Sequence, residues 1–398
     1  METTSLYLHI PFCVRRCSYC DFTTYAGMTH RIADYVEALQ KEMRWLAESS
    51  PEPVPVHTIY FGGGTPSLLP AEQVGMILDC ARKSFQVQPG AEISLEANPG
   101  TLSQDWLAQV HSMGANRLSL GMQSAHPTDL AMLQRIHAYP DVLDAVGMAR
   151  RAGFDNISLD LMYGIPGQHL KRWQANVHLA VGLQVEHLSM YAVMIEPGTP
   201  LQRWVERGLV PPVDDDLQAD MLDWAEDYLQ EAGFRQYEIS NWARVDAAGR
   251  WRICAHNNQY WQDKPYLGVG AGAHGYTGGI RTENIAGIEE YILSMNTPKS
   301  GLAYPQTPAT TQAAAIDQRQ EMQEFMMMGL RLTEEGIRRD TFAARFGLSL
   351  GDAYRIPIQK LISQGLLEWA GEQKECLRLT KRGKRLGNRV FMEFVGEM

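Results

Sequence analysis

Three cysteines crowd one short stretch, Cys13-Val14-Arg15-Arg16-Cys17-Ser18-Tyr19-Cys20, with three and then two residues between them. Thiolates are soft donors and suit iron–sulfur clusters or zinc. A structural zinc site takes four protein ligands, commonly as two pairs. Three close thiols instead leave one iron of a cubane cluster without a protein ligand, and that iron can take a small molecule. The plain alternative is three buried small residues. With only six cysteines in 398 positions, this spacing favours a cluster.

The loop must be held by secondary structure. It follows Leu6-Tyr7-Leu8-His9-Ile10-Pro11, which reads as a strand. Five further runs have the same character, giving expected strands at 5–11, 56–61, 92–97, 117–122, 156–162 and 187–193. Amphipathic stretches at 34–48, 72–85, 104–113, 142–152 and 170–182 read as helices between them. This alternation predicts an α/β fold with a parallel sheet flanked by helices. Six β/α units are too few for a closed eight-stranded barrel and suit an open, partial one. In such folds the working residues collect at the carboxyl ends of the strands.

Each strand end carries residues capable of chemistry. After the second comes Gly62-Gly63-Gly64-Thr65-Pro66, where missing side chains let the backbone approach a ligand. After the third comes Glu96, able to hold a ribose or an ammonium group; a solvated strand-end carboxylate is the plain alternative. Gln123 follows the fourth, and Arg135, downstream of it, can pair a carboxylate in two-pronged fashion. Asp160, inside an apolar strand, requires a polar partner.

The totals bound the reading. At 398 residues two domains are expected, and 45% hydrophobic with 21% charged residues describes a globular chain. A net charge of −10 argues against broad nucleic-acid binding. No apolar run approaches the roughly 20 residues needed to span a bilayer, and the N-terminus lacks the pattern of a signal peptide. The cysteines do not form a disulfide framework, so a reducing cytoplasm is expected. Peripheral membrane contact and a homodimer stay open.

The C-x₃-C-x₂-C spacing is the signature of the radical S-adenosylmethionine (SAM) superfamily. The flanking Tyr7-Leu8-His9-Ile10-Pro11-Phe12 and Asp21-Phe22 resemble the branch that holds oxygen-independent coproporphyrinogen III oxidases and HemW-type heme chaperones. The resemblance covers nearly the whole chain and implies a partial (β/α)6 barrel. It implies that Cys13, Cys17 and Cys20 ligate a [4Fe–4S] cluster, and that Tyr7, Tyr19, Gly63, Gly64, Thr65, Glu96, Gln123, Arg135 and Asp160 surround SAM. His256-Asn257-Asn258-Gln259-Tyr260 matches an H-N-x-x-Y motif associated in the chaperones with heme, making His256 and Tyr260 the expected heme residues. A lone histidine in a polar loop is otherwise a surface hydrogen-bonder. Cys254 reads as core or incidental. His274, in the glycine-rich 268–275 segment, could approach SAM or porphyrin, and its role stays open.

Beyond the barrel, Asp214-Asp215-Asp216 reads as a helix start rather than a metal site. Residues 298–315 read as a linker. A Met-rich helix at 318–332 is taken as core. Helices at 341–346 and 354–364 with strands at 366–368 and 377–380 give a winged-helix-like order. Lys381-Arg382-Gly383-Lys384-Arg385 is taken as a solvated turn. The expected domains are 1–235, a barrel extension with the heme segment over 236–310, and a small α+β domain over 311–398.

Three functions compete: a heme chaperone delivering heme to acceptors such as respiratory cytochromes, a coproporphyrinogen III oxidase, and another radical SAM methyltransferase or heme-modifying enzyme. The resemblance implies that the oxidases carry a fourth cysteine two residues after the third, where this sequence has Phe22, and a longer arm before the loop. Both differences, and the H-N-x-x-Y match, favour the chaperone, which leans away from an enzyme.

Overall fold

A computed structural model describes residues 2–297 and 299–396. Pro298, the first residue of the expected linker, and the last two residues of the expected C-terminal domain lie outside the described residues. The described residues build a larger core from Leu6 to Ala309, a smaller one from Met322 to Phe394, and a third, minor cluster of Leu133, Met162, Ile165, Val193 and Leu201.

The larger core surrounds a sheet whose centre is six parallel strands: β1 (Thr4–Ile10), β2 (Pro55–Gly63), β3 (Gln86–Ala97), β4 (Arg117–Gln123), β5 (Ile157–Tyr163) and β6 (His187–Ala192). All six overlap the runs expected from the sequence, though β3 begins at Gln86, six residues before the expected start. So do helices α1 (Ile32–Ser49), α2 (Ala71–Ser84), α3 (Gln104–Ser112), α4 (Tyr139–Ala152) and α5 (Leu170–Gly182). In β1 every residue except Tyr7 is buried, as a central parallel strand covered on both faces should be.

The sequence does not announce how far this sheet extends. Beyond β6 it continues antiparallel through β7 (Phe234–Glu238) and β8 (Asn241–Arg244). Beyond β1 it adds β9 (Tyr266–Val269) in parallel, then β10 (His274–Thr277), β11 (Ile280–Asn284) and β12 (Thr310–Ala315). The order of the 12 strands is β12-β11-β10-β9-β1-β2-β3-β4-β5-β6-β8-β7. The boundary expected at 235/236 therefore falls inside β7. The end of the expected linker is an edge strand. Its Thr-Thr-Gln-Ala-Ala-Ala sequence is exposed and compositionally loop-like, and only backbone pairing with β11 makes it a strand.

The smaller core packs Met322 and Met326, both buried, against helices Arg339–Phe346 and Arg355–Ser363 and a three-stranded sheet. The sheet comprises Ile337–Arg338, Leu367–Ala370 and Cys376–Leu379. Helix α6 (Asp215–Glu231) is capped by the Asp214 carboxylate, which accepts a hydrogen bond from the Leu217 amide at 3.0 Å. The triple aspartate is thus a helix start. The basic run is not a solvated turn. Lys381–Arg385 is helical, and Lys381, Lys384 and Arg385 pair with Asp227, Glu226 and Asp223 of α6, fastening the small domain to the large one.

Candidate functional site

The cysteine loop is tied down at several points. The buried Ser18 donates its hydroxyl hydrogen to the Met132 carbonyl at 2.7 Å, and its own carbonyl accepts from the Leu201 amide at 2.9 Å. The Tyr25 amide returns to the Pro11 carbonyl at 2.7 Å, closing the loop against the end of β1. Cys13, Cys17 and Cys20 are free thiols. All three line a cavity of about 430 Å³ at the carboxyl ends of β2 to β6.

Gly63 and Gly64 form one wall. The Gly64 amide donates to the Ile10 carbonyl and the Thr65 amide to the Phe12 carbonyl, each at 2.8 Å. A Cβ on Gly64 would fall 2.7 Å from the Phe12 oxygen, and one on Gly63 2.6 Å from the His9 ring. Glycine is what lets this strand end lie against the cysteine loop. The Thr65 hydroxyl reaches to 3.7 Å from Cys13 Sγ.

Glu96 stands beside them, accepting the Tyr60 hydroxyl at 2.8 Å on Oε1 and the Gly63 amide at 3.1 Å on Oε2. Burial pushes its pKa up to about 7, against the lowering effect of the Tyr60 bond. Asp160 receives the Ser119 hydroxyl at 3.0 Å, so the polar partner expected for it exists, and burial raises its pKa. Arg135 places Nη1 3.5 Å from Cys17 Sγ and donates from Nη2 to the Gly121 carbonyl at 3.0 Å, while its buried Nε has no partner. Gln123 sits at φ +60°, where the β4–β5 register shifts, so its amide is turned out of the strand pattern into the cavity.

The structure thus brings Tyr19, Gly63, Gly64, Thr65, Glu96, Gln123, Arg135 and Asp160 onto one cavity with the three cysteines. Tyr7 is placed differently. It lies behind Gly62, with its hydroxyl 2.9 Å from His9 Nδ1, and His9 Nε2 in turn bonds the Thr23 carbonyl at 2.8 Å. It supports the loop from beneath rather than lining the cavity.

His256 and Tyr260, expected at heme, form a closed pair. His256 is 1% exposed. The Thr58 hydroxyl gives its hydrogen to Ser5, so it accepts from His256 Nδ1 at 2.8 Å. That leaves the Nε2 lone pair to accept the Tyr260 hydroxyl at 2.9 Å. Burial drives the histidine pKa down to about 3, so the ring is neutral. Its face stacks on Tyr60 at 4.9 Å. Within the motif His256 and Gln259 are buried, Asn257 lines the cavity, and the Nε2 lone pair of His256 is engaged by Tyr260.

Residues missed in the sequence also line the cavity: Tyr60, Arg117, Ser119, Ser158, His187, Ser189 and Tyr191. They recur at every second position with Glu96 and Asp160, which is the inward face of each strand. That alternation was the available signal. Cys254 is also at the cavity wall, its thiol 3.7 Å from Glu92 Oε1.

The sequence profile of the Radical SAM superfamily matches residues 7–180, and that of the HemN C-terminal domain matches 316–386. The heme chaperone HemW of Bacillus subtilis is 35% identical over 395 residues, 99% of this chain and 100% of that protein. HemW of Mycobacterium tuberculosis is 36% identical over 397 residues, 98% of this chain and 94% of that one. The chain belongs to the HemW family of radical SAM proteins. The solved coproporphyrinogen III oxidase HemN of Escherichia coli superposes with a TM-score of 0.81 over 98% of this chain and 89% of its own. It is 22% identical, so that likeness concerns the fold alone. Radical SAM membership implies use of SAM and a [4Fe–4S] cluster. The cavity of this chain fits both. It offers three free thiols on one cavity, a glycine cradle that any Cβ would fill, and the partnerless Nε of Arg135.

Proposed function

We propose that this chain is a heme chaperone that binds heme and hands it to acceptor proteins such as respiratory cytochromes, carrying a SAM-ligated [4Fe–4S] cluster. The observation that carries the reading is similarity along the whole chain to HemW chaperones, including the B. subtilis protein at 35% identity. It is supported by Phe22, 62% exposed, at the position where the resemblance gives the oxidases a fourth cysteine.

We read the six parallel strands as an open (β/α)6 barrel and the C-terminal unit as winged-helix-like. Cys13, Cys17 and Cys20 would hold the cluster, which when bound supplies an iron open to the amino and carboxylate groups of SAM. Gly63, Gly64 and Thr65 present backbone to the methionine end of SAM. Glu96 takes a hydroxyl or ammonium group, and Gln123 reads the adenosyl part. Arg135 offsets negative charge beside Cys17 and can pair a carboxylate. Asp160 and Ser119 supply polar contact from the floor. His256 and Tyr260 brace Tyr60, and through it Glu96.

The test is a heme titration of the full chain after anaerobic cluster reconstitution, followed by transfer to an apo-cytochrome. Heme uptake and transfer are expected. Conversion of coproporphyrinogen III to protoporphyrinogen with SAM and reductant would establish the oxidase instead. Transfer of a labelled methyl group from SAM would establish a methyltransferase.

A further inference from the structure

The end of β4 departs from regular strand geometry. Its register with β5 shifts between Leu120 and Gln123, and Gln123 takes φ +60°. The Ser124 amide closes back on the Met122 carbonyl at 2.7 Å, a three-residue turn around Gln123. A glutamine in the left-handed region is strained, and such backbone persists only where its surroundings hold it.

Both neighbours of Gln123 are held. On one side the buried Ser124 hydroxyl donates to Asp129 Oδ2 and accepts from Asn176 Nδ2, each at 2.9 Å. On the other side lie Gly121 and Met122, the two residues inside the register shift. Side chains of one short segment take both of their carbonyls. Arg135 Nη2 donates to the Gly121 carbonyl and His137 Nε2 to the Met122 carbonyl, each at 3.0 Å.

His137 has no other polar use among the described residues. It is 5% exposed. Burial, reinforced by the Arg135 charge, pushes its pKa down to about 4, so at neutral pH the ring is neutral. A carbonyl only accepts, so the proton sits on Nε2 and Nδ1 is left as an acceptor. That buried Nδ1 has no hydrogen-bond partner among the described residues. An apolar ring would fill the same space without an unmet acceptor, so packing alone does not account for a histidine here.

The same segment reaches the cysteine loop. Arg135 Nη1 lies 3.5 Å from Cys17 Sγ. A Cβ on Gly121 would fall 2.9 Å from Arg135 Nη2 and 3.0 Å from Gln123 Nε2, so the two side-chain ends meet over that glycine. Letting go of the Met122 carbonyl would free the turn that aims the Gln123 amide.

We propose that His137 is a positioning residue for SAM: through the Met122 carbonyl its Nε2–H holds Gln123 in the left-handed conformation that turns the glutamine into the cavity, toward the adenosyl group. His137 is not itself among the residues lining the cavity. The proposal rests on the reading of Gln123 as an adenosyl contact and not on heme.

The test is equilibrium dialysis of SAM against the anaerobically reconstituted full chain, with iron content and denaturation midpoint measured alongside. His137→Phe keeps a buried ring but has no donor. It should load its cluster and bind SAM about fivefold more weakly, the scale of one hydrogen bond. His137→Gln can still donate to the Met122 carbonyl and should stay within about twofold of wild type. In a Gln123→Gly background no amide is left to aim and the backbone tolerates a positive φ, so His137→Phe should weaken SAM binding no further. A merely structural role would give the same loss in both backgrounds.

A cluster-loaded His137→Phe protein with wild-type affinity overturns the assignment. So does an equal loss in the Gln123→Gly background, or a His137→Gln protein as weak as the phenylalanine variant. If His137→Phe does not load its cluster, His137→Ala is read the same way, and loss of iron in both overturns the proposal in favour of a role in holding the fold. A wild-type protein that binds no SAM overturns the reading of Gln123, and this inference falls with it.

Discussion

The Tyr60 hydroxyl donates to Glu96 Oε1 across 2.8 Å, and the same tyrosine ring stacks on His256. This contact joins the buried H-N-x-x-Y motif to a carboxylate of the cavity. Removing the hydroxyl leaves a buried carboxylate short of a donor, at a cost of about 1–3 kcal/mol. Tyr60→Phe should therefore raise the Glu96 pKa further above about 7. It should also weaken SAM binding severalfold at neutral pH, as measured by equilibrium dialysis of the reconstituted protein. Unchanged affinity would mean that Glu96 does not contact SAM.

Arg135 is half-buried beside Cys17, and its buried Nε is unused. Arg135→Lys keeps the charge but loses the planar fork. It should retain the cluster while binding SAM roughly tenfold more weakly, about 1.4 kcal/mol. The pair of readouts is iron content and SAM dialysis. Loss of iron in the lysine variant would assign Arg135 to holding the loop instead.

His256→Ala should act mainly on stability. It opens a cavity, takes one of two partners from the Thr58 hydroxyl and leaves the Tyr260 hydroxyl without its acceptor, which should cost on the order of 3 kcal/mol in chemical denaturation. Tyr260→Phe removes a single bond and should cost about 1 kcal/mol. A His256→Ala protein as stable as the wild type would contradict the closed pair seen in the fold.

Glu238 gives a pH prediction. It is buried where β7 meets the small domain at Leu332, and its Oε2 has no partner. Burial raises its pKa to about 7 from an ordinary 4.5. The folded state therefore binds this proton more tightly than the unfolded chain. Its contribution is fully present below about 4.5 and is lost as pH rises through about 7. Glu238→Gln keeps an oxygen to accept from the Ser240 amide at 3.0 Å and from Asn241. Denaturation midpoints measured from pH 5 to 8 should fall less steeply for Glu238→Gln than for wild type, with the variant the more stable at pH 8. An identical slope would show that this carboxyl does not titrate in that window.

The local readings that held are those carried by short-range chemistry. Cysteine spacing, glycine runs and hydrophobic periodicity placed the loop, the cradle and six strands, because turn geometry and backbone pairing act within a few residues. The edge strand Thr310–Ala315 was illegible because its side chains bury little and only its partner β11 defines it. The helical clamp of Lys381–Arg385 was illegible because the acids that pair with it lie more than 150 residues earlier.

The amino-acid sequence by itself determined the family, the cysteine loop and which strand ends carry polar chemistry, since each is written in spacing along the chain. The tertiary structure alone decided that His256 is closed and His274 open. Whether an imidazole lone pair is engaged depends on what the fold brings against it from distant segments: Thr58 in the first case, and in the second no side-chain partner among the described residues.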